Sequence, residues 1–349
     1  MTVLDSTTYN QDLNKTISSI KNYKSLKNKT IFITGSTGLI CSAFIDLLQA
    51  LNNKIDLNLI IYASGRNIKL IKERFNTKKN PNIIPVKFDV TKNLSFKPHV
   101  DFFIHGASNA SPDKIISEPV ETMISNFNGL NTILKLSQNN NARTLYISSS
   151  EVYGQLQTSN SINEEQCGYI DNLNPRNSYG EAKRATETLC ASYIKEFNSD
   201  IVIVRPGHIY GPTASQSDIR VSSKFMYDAA QGKKLTLKSK GEQLRSYTYC
   251  LDCANAILTV LLKGKSGESY NISNPNSIIS ISTMANYFAN SASVKLEYNL
   301  PTKEEKSAFN PMNNSSLDST KLESLGWKPT FNQEEGFQHS IKIIQEIIS

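Results

Sequence analysis

Long apolar runs are missing from this 349-residue sequence: none approaches the roughly 18 residues needed to cross a bilayer. The polar stretch Met1 to Asn14 has no apolar segment of the kind a secretory leader needs, so neither a membrane span nor export is expected. Histidine is scarce, at four residues, and the five cysteines (Cys41, Cys167, Cys190, Cys250, Cys253) are scattered and odd in number. They read as free thiols of a cytoplasmic protein rather than a disulfide framework. Cys250-Leu-Asp-Cys253 has CxxC spacing, but no second pair or histidine cluster completes a metal site. It is expected to be a strand end entering a helix, with no metal. One-sided charge is weak: 38 lysines and arginines against 31 aspartates and glutamates give +7. That balance suits an anionic small ligand as well as a nucleic acid. No helix-turn-helix, zinc finger or aromatic RNA-binding pattern supports the latter, so no nucleic-acid partner is expected. Internal repeats are absent too.

What is present is a chain long enough to bury a substantial core, with 39% hydrophobic residues. Residues 1–28 carry Leu13, Ile17 and Ile20 at helical spacing, followed by Lys21, Lys24, Lys27 and Lys29. This predicts a helical extension packed on the body with a solvated basic face. From residue 29 strand and helix patterns alternate. Thr30–Ile33, Leu57–Tyr62, Asn82–Phe88, Asp101–His105, Thr144–Ser148 and Ile201–Val204 read as strands. Leu39–Leu51, Ile68–Phe75, Val120–Gln138 and Tyr179–Phe197 read as helices. Such alternation predicts an α/β fold, a doubly wound parallel sheet of Rossmann type. Beyond 205 the pattern loosens; Asn271–Ser280 is turn-rich, and Leu317–Leu325 and Glu334–Ile348 look helical. The expected division is an extension at 1–28 and a dinucleotide-binding domain at 29–204 with a returning segment at about 246–275. A smaller substrate domain is expected from 205–245 and 276–349.

Thr34-Gly35-Ser-Thr37-Gly38-Leu39-Ile40-Cys41 lies between a predicted strand and a predicted helix. Glycines in that context let the backbone turn sharply and approach a pyrophosphate seated at the helix N-terminus. The loop lacks the Gly-Lys-Ser/Thr ending of a P-loop, which excludes a kinase or NTPase reading. Cys41 stands where the fingerprint has its last glycine. After the second strand the chain reads Ala63-Ser64-Gly65-Arg66-Asn67, with no acid for the ribose 2′-hydroxyl of NAD. Arg66 suits a 2′-phosphate or adenine stacking, so NAD is expected with NADP left open. Asp89-Val90 is placed to meet the adenine.

Tyr179-Gly-Glu-Ala-Lys183 puts a phenol and an ammonium on one helix face. A neighbouring ammonium favours the phenolate and is expected to lower the tyrosine pKa. Such a pair can take a proton from a sugar hydroxyl. Ser148-Ser149-Ser150-Glu151-Val-Tyr-Gly154 follows a strand, at the sheet end where ligands sit. Ser149 is a candidate for the reacting hydroxyl's partner and Glu151 for a base at a neighbouring carbon. His105 is expected to be a packed strand-end residue; His99 and His339 carry no motif.

These residues resemble a family. The glycine loop, Asp89-Val90 and His105-Gly-Ala-Ser-Asn-Ala-Ser-Pro112 are similar to extended short-chain dehydrogenases/reductases. So are the Ser149/Tyr179/Lys183 set and Arg205-Pro-Gly-His-Ile-Tyr-Gly-Pro212. Within them the chain most resembles the NAD-dependent nucleotide-sugar epimerase/dehydratase family, and in particular its UDP-glucuronate decarboxylase branch. The resemblance implies a Rossmann domain, a smaller nucleotide-sugar domain, a homodimer, a place in polysaccharide biosynthesis, and a cofactor reduced and reoxidised within one turnover. It implies catalytic roles for Ser149, Tyr179, Lys183, Ser150 and Glu151. It implies dinucleotide contacts from Gly35, Thr37, Gly38, Leu39, Ile40, Arg66, Asp89, Val90, Ala107, Tyr179 and Lys183. Sugar-nucleotide contacts fall to Ser108, Asn126, Arg176, His208, Arg220 and Arg245, with Gly129 on the same helix as Asn126. Thr213, His208 and Phe309-Asn310-Pro311 depart from the branch pattern, where arginine, asparagine and Arg-Lys-Pro are usual, and Ser150 stands where many 4,6-dehydratases have aspartate. The expectation is therefore epimerase or dehydratase chemistry through a transient 4-keto sugar, with decarboxylation of UDP-glucuronate as the alternative. A non-catalytic dinucleotide sensor is a rival of another class, but it needs no proton relay.

Overall fold

The fold is taken from a computed structural model that describes residues 1–21, 23–108, 110–299 and 312–348. Helix α1 (Thr7–Ser19) precedes β1 (Thr30–Thr34), whose Ile31, Phe32 and Ile33 are fully buried. There follow α2 (Leu39–Ile55), β2 (Ile60–Gly65), α3 (Ile68–Arg74), β3 (Ile83–Lys87) and β4 (Phe102–His105). A short α4 (Pro112–Ser117) leads into α5 (Pro119–Asn140), which starts on a proline and ends on Asn141 in the left-handed region. Then come β5 (Arg143–Ile147), α6 (Ser178–Phe197), β6 (Ile201–Pro206), β7 (His208–Tyr210), α7 (Val221–Ala230) and β8 (Leu235–Leu237). The rest is β9 (Leu244–Tyr249), α8 (Cys250–Lys263), β10 (Ser269–Ile272), β11 (Ile278–Ser280), α9 (Ile281–Ala292), β12 (Leu296–Tyr298), β13 (Asn314–Ser315), α10 (Thr320–Ser324) and α11 (Gln333–Ile348).

Seven strands form one parallel sheet in the order β3-β2-β1-β4-β5-β6-β10. This is the doubly wound arrangement expected from the alternation, with a seventh strand added. The winding reverses between β1 and β4, so the crevice beyond Thr34 and His105 is the place such sheets offer to a ligand. A second, small sheet gathers β11, β9, β13 and β7 beside it.

Two local expectations shift. The second strand starts at Ile60 rather than Leu57 because Asn58 is left-handed (φ 51°), which turns the chain before pairing can begin. It then runs on to Gly65, in register with Lys87 of β3. Only Thr320–Ser324 of 317–325 is helical; Leu317 is bridged to Ile162 and its amide donates to the Ser246 hydroxyl. Cys250 does open a helix directly after a strand, as expected.

Helix α1 is locked to the body by polar groups that all find partners. Asp12 accepts from the Tyr249 hydroxyl and pairs with His339 Nδ1, each at 2.8 Å. Tyr9 donates to Asp46 at 2.8 Å, and Arg74 grips the same carboxylate with two nitrogens. Ser6 and Thr8 both donate to Glu346 of α11 at 2.6 Å. No helix among the described residues is long and apolar enough to cross a membrane.

Candidate active site

β1 delivers the chain to a turn that only glycine fits. Gly35 has φ +66°, and a Cβ there would lie 2.9 Å from the Ala107 backbone. The glycine turn and residues 106–107 therefore touch. Thr34 Oγ1 accepts the amides of Gly106 and Ala107, both at 3.1 Å, and faces His105 Nδ1 at 3.0 Å. Having accepted twice, that hydroxyl gives its proton to Nδ1. His105 is thus neutral with its proton on Nε2, which has no partner among the described residues. Burial, with Lys183 nearby, pushes its pKa down to about 3. Packing at a strand end was expected of His105; the tie to the glycine turn was not.

Gly38 caps α2, whose first-turn amides face the crevice beside the buried, unpartnered hydroxyl of Ser36. An open helix N-terminus, a close-packed glycine turn and an orphaned hydroxyl together fit a pyrophosphate. Thr37, Leu39 and Ile40 continue this turn. Cys41 takes the place of a glycine, and the helix still packs closely because the side chain is missing on the other side: a Cβ on Gly106 would fall on the Cys41 sulfur. Burial raises that thiol to about 12, so it is neutral. Asp89 accepts from the amide and hydroxyl of Thr91, which holds its carboxyl below the usual range, with Arg66 close by. Val90 meets α5 at Gly129, where a Cβ would lie 2.8 Å from its own. Asn126, one turn earlier, uses its amide nitrogen on the Thr122 carbonyl and leaves its buried Oδ1 without a partner among the described residues. Ser108 Oγ is likewise buried with no partner among the described residues, outside which the neighbouring Asn109 lies.

At the end of β5, Ser149 caps a short 3-10 turn (Ser150–Tyr153) by accepting the Glu151 amide at 3.2 Å. Ser150 opens that turn. Tyr179 and Lys183 stand one helical turn apart near the start of α6, both buried. The Lys183 ammonium donates to the Ile147 carbonyl at 2.9 Å and sits 4.7 Å above the Tyr146 ring, but 5.8 Å from the centre of the Tyr179 ring. The phenol is not lowered as expected. Burial, and next Glu151, push Tyr179 up to about 12, while a hydrogen bond with Ser149 and the charge of Arg220 oppose them. Lys183 does not act as the depressing charge, because burial pulls its own pKa down to about 7. Glu151 is raised by burial and partly restored by Arg176, whose Nη1 lies 3.7 Å from Oε2.

Arg245 and His208 lie on the small sheet, and Arg220 stands just before α7. Arg245 on β9 is 4% exposed; its Nη1 donates to the Leu244 and Met312 carbonyls, at 2.8 and 3.1 Å, and no carboxylate among the described residues pairs with it. Burial lowers its pKa, as expected of a desolvated cation with no carboxylate partner among the described residues. His208 on β7 has a buried, unpartnered Nδ1, and burial with Arg245 and Arg220 pushes its pKa to about 3. Arg220 is engaged by Asp218, Nε lying 3.0 Å from both oxygens. Phe309-Asn310-Pro311 falls outside the described residues.

Two residues here escaped the sequence reading. Thr213, noted only as a departure, is buried and donates to the Leu39 carbonyl at 2.9 Å, joining the substrate side to α2. Glu187 accepts from Ser148 at 2.6 Å and holds Arg205 through both oxygens. Its spacing of four from Lys183 was the available signal. His99 and His339 lie outside the cluster, beside Asp101 and Asp12.

A model of the NAD dependent epimerase/dehydratase family matches residues 31–273. UDP-glucuronic acid decarboxylase 5 of Arabidopsis thaliana is 32% identical over 319 residues, covering 88% of this chain and 87% of the relative. The fold is that of UDP-glucose 4-epimerase from Thermotoga maritima, solved with UDP-glucose (TM-score 0.77, 20% identity, 92% and 100% of the two chains). It is also that of dTDP-glucose 4,6-dehydratase from Bacillus anthracis, solved with NAD (TM-score 0.74, 19% identity, 91% and 97%).

Proposed function

The chain belongs to the NAD dependent epimerase/dehydratase family, and from that premise we propose that it oxidises C4 of a nucleotide-linked sugar to a transient 4-keto group and restores the hydride within the same turnover. Residues 29–204 with 246–275 hold the dinucleotide, and 205–245 with 276–349 hold the sugar nucleotide. Gly35, Thr37, Gly38, Leu39, Ile40, Ala107, Asp89, Val90 and Arg66 line the dinucleotide's path, with Tyr179 and Lys183 at its nicotinamide end. The bound dinucleotide supplies hydride acceptance and return.

The chain's own residues handle protons and position. Tyr179, with Ser149 on its hydroxyl, exchanges a proton with the sugar C4 oxygen. Lys183 holds the ribose side of the cleft from its anchor on Ile147. A 4-keto group acidifies the adjacent C–H bonds, and Glu151, its pKa raised by burial, takes a proton there. Ser150 flanks it. Arg245, Arg220 and Arg176 receive the diphosphate and sugar, with Ser108, Asn126 and His208 adding polar contacts. The observation that carries this reading is the meeting of Ser149, Glu151 and Tyr179 near the glycine turn, together with a buried Arg245 that no carboxylate among the described residues pairs with.

A second reading, decarboxylation of UDP-glucuronate to UDP-xylose, is favoured by the activity in the names of the curated relatives. The purified protein is incubated with UDP-glucose, dTDP-glucose, UDP-N-acetylglucosamine and UDP-glucuronate and followed by NMR. A C4 epimer or a 4-keto-6-deoxy sugar supports the first reading; UDP-xylose and carbon dioxide establish the second. No turnover of any sugar nucleotide overturns both.

A homodimer fits the exposed apolar stripe of α5, where Val120, Met123, Ile124 and Phe127 recur at helical spacing. Light scattering on the wild type and on Phe127→Glu tests it: a dimer that the charge dissociates. Five free cysteines, four of them buried, suit a reducing cytoplasm.

A further inference from the structure

The dinucleotide reading above leaves one choice open, and the residues after β2 bear on it. In a βαβ unit the adenosine ribose lies against the residue that follows the second strand. A carboxylate there accepts from a 2′-hydroxyl and repels a 2′-phosphate; an arginine does the reverse. β2 lies beside β1 with Ser64 opposite Thr34, and the Ser36 amide donates to the Ser64 carbonyl at 3.1 Å. The turn after Gly65 therefore stands next to the glycine turn.

That turn reads Ser64-Gly65-Arg66-Asn67 and holds no acid. Asn67 is committed elsewhere, since its Oδ1 caps α3 by accepting the Leu70 amide at 3.1 Å. The hydroxyls of Ser36 and Ser64 are fully buried and have no partner among the described residues. Arg66 is exposed, and its guanidinium makes no hydrogen bond or ion pair with a described residue. Asp89 is the acid whose charge it feels, and Asp89 is already held by Thr91 through two hydrogen bonds. Further along, Arg74 is engaged by Asp46, and Lys69 faces Glu73 at 3.9 Å. Arg66 is thus an uncommitted fork of donors at the ribose end of the crevice, a partner for a dianion more than for a hydroxyl.

We infer that this turn selects the 2′-phosphorylated dinucleotide, NADP, with Arg66 as the specificity-determining residue and the Ser36 and Ser64 hydroxyls available to the same ribose. The inference rests on the dinucleotide reading; the nicotinamide end is common to both forms, so the proton chemistry above is unchanged. Isothermal titration of wild type and Arg66→Ala with NAD+ and with NADP+ tests it. Wild type is expected to bind NADP+ at least about tenfold more tightly than NAD+, and Arg66→Ala to lose that advantage while keeping NAD+ affinity within about twofold. NAD+ binding as tightly as NADP+, or an equal loss of both in the variant, overturns the inference and leaves the dinucleotide reading standing. Binding of neither form overturns the dinucleotide reading itself.

Discussion

Two polar regions of this protein are built on opposite terms. Around α1, Tyr9, Asp12, Asp46, Arg74 and Tyr249 find partners among themselves and with His339, and Glu346 meets Ser6 and Thr8, all within hydrogen-bond distance. In the crevice, Ser36, Ser64, Ser108, Asn126, His105 and His208 keep buried atoms without a partner among the described residues, and no described carboxylate pairs with the buried Arg245. A buried polar group left unpaired costs stability, so a fold keeps such groups where something else binds them. The satisfied groups around α1 tie the N-terminal helix to the body, whereas those in the crevice are free to meet a ligand.

Variants can break that contrast or sharpen it. The largest effect is expected at Tyr179: phenylalanine there should lower turnover of the accepted sugar nucleotide by about a thousandfold, with an unchanged melting temperature by calorimetry. Asp46→Ala should do the opposite. It strands Arg74 and the Tyr9 hydroxyl, and denaturant titration should show a loss of about 3 kcal/mol, with turnover retained at low temperature. Arg245→Leu should weaken sugar-nucleotide binding ten- to a hundredfold by titration calorimetry, the order of one or two charge-assisted hydrogen bonds. Its melting temperature should not fall, because a desolvated charge is removed. A drop in stability there would break the comparison.

The smallest effect concerns pH. Asp12 raises the pKa of His339, so the protonated imidazole is favoured in the folded protein. The stability it adds is fully present below the unfolded histidine value of about 6.5, and is lost as pH rises through the higher folded value. Because the side chain is 30% exposed, the amount should be under about 1 kcal/mol. Wild type and His339→Gln should therefore differ in stability at pH 5.5 and converge at pH 9, by denaturant titration.

The crevice was far more legible in the sequence than the α1 contacts were. The glycine turn, the strand-end serines and the Tyr179/Lys183 spacing are local signals, each fixed within about ten residues by strand, turn and helix geometry. The α1 contacts join residues 37 to 340 apart, such as Tyr9 with Asp46 and Ser6 with Glu346, and no pattern within a window reports them. Electrostatics was misread even where the residues were named. The i, i+4 spacing correctly put Lys183 near Tyr179, but only the three-dimensional neighbourhood shows the ammonium drawn to the Ile147 carbonyl and both groups desolvated. Asn58 displaced the second strand for a similarly local reason, a left-handed residue that an alternating apolar pattern does not register.

The exchange between Cys41 and Gly106 constrains how this site can drift. A sulfur occupies the room that a side chain at 106 would need, so the two positions cannot change in arbitrary order. A residue without a γ atom, alanine or glycine, must appear at 41 before alanine is accommodated at 106 without displacing the sulfur. The packing of α2 against the crevice thus couples these two positions, so that change at 106 waits on loss of the sulfur at 41.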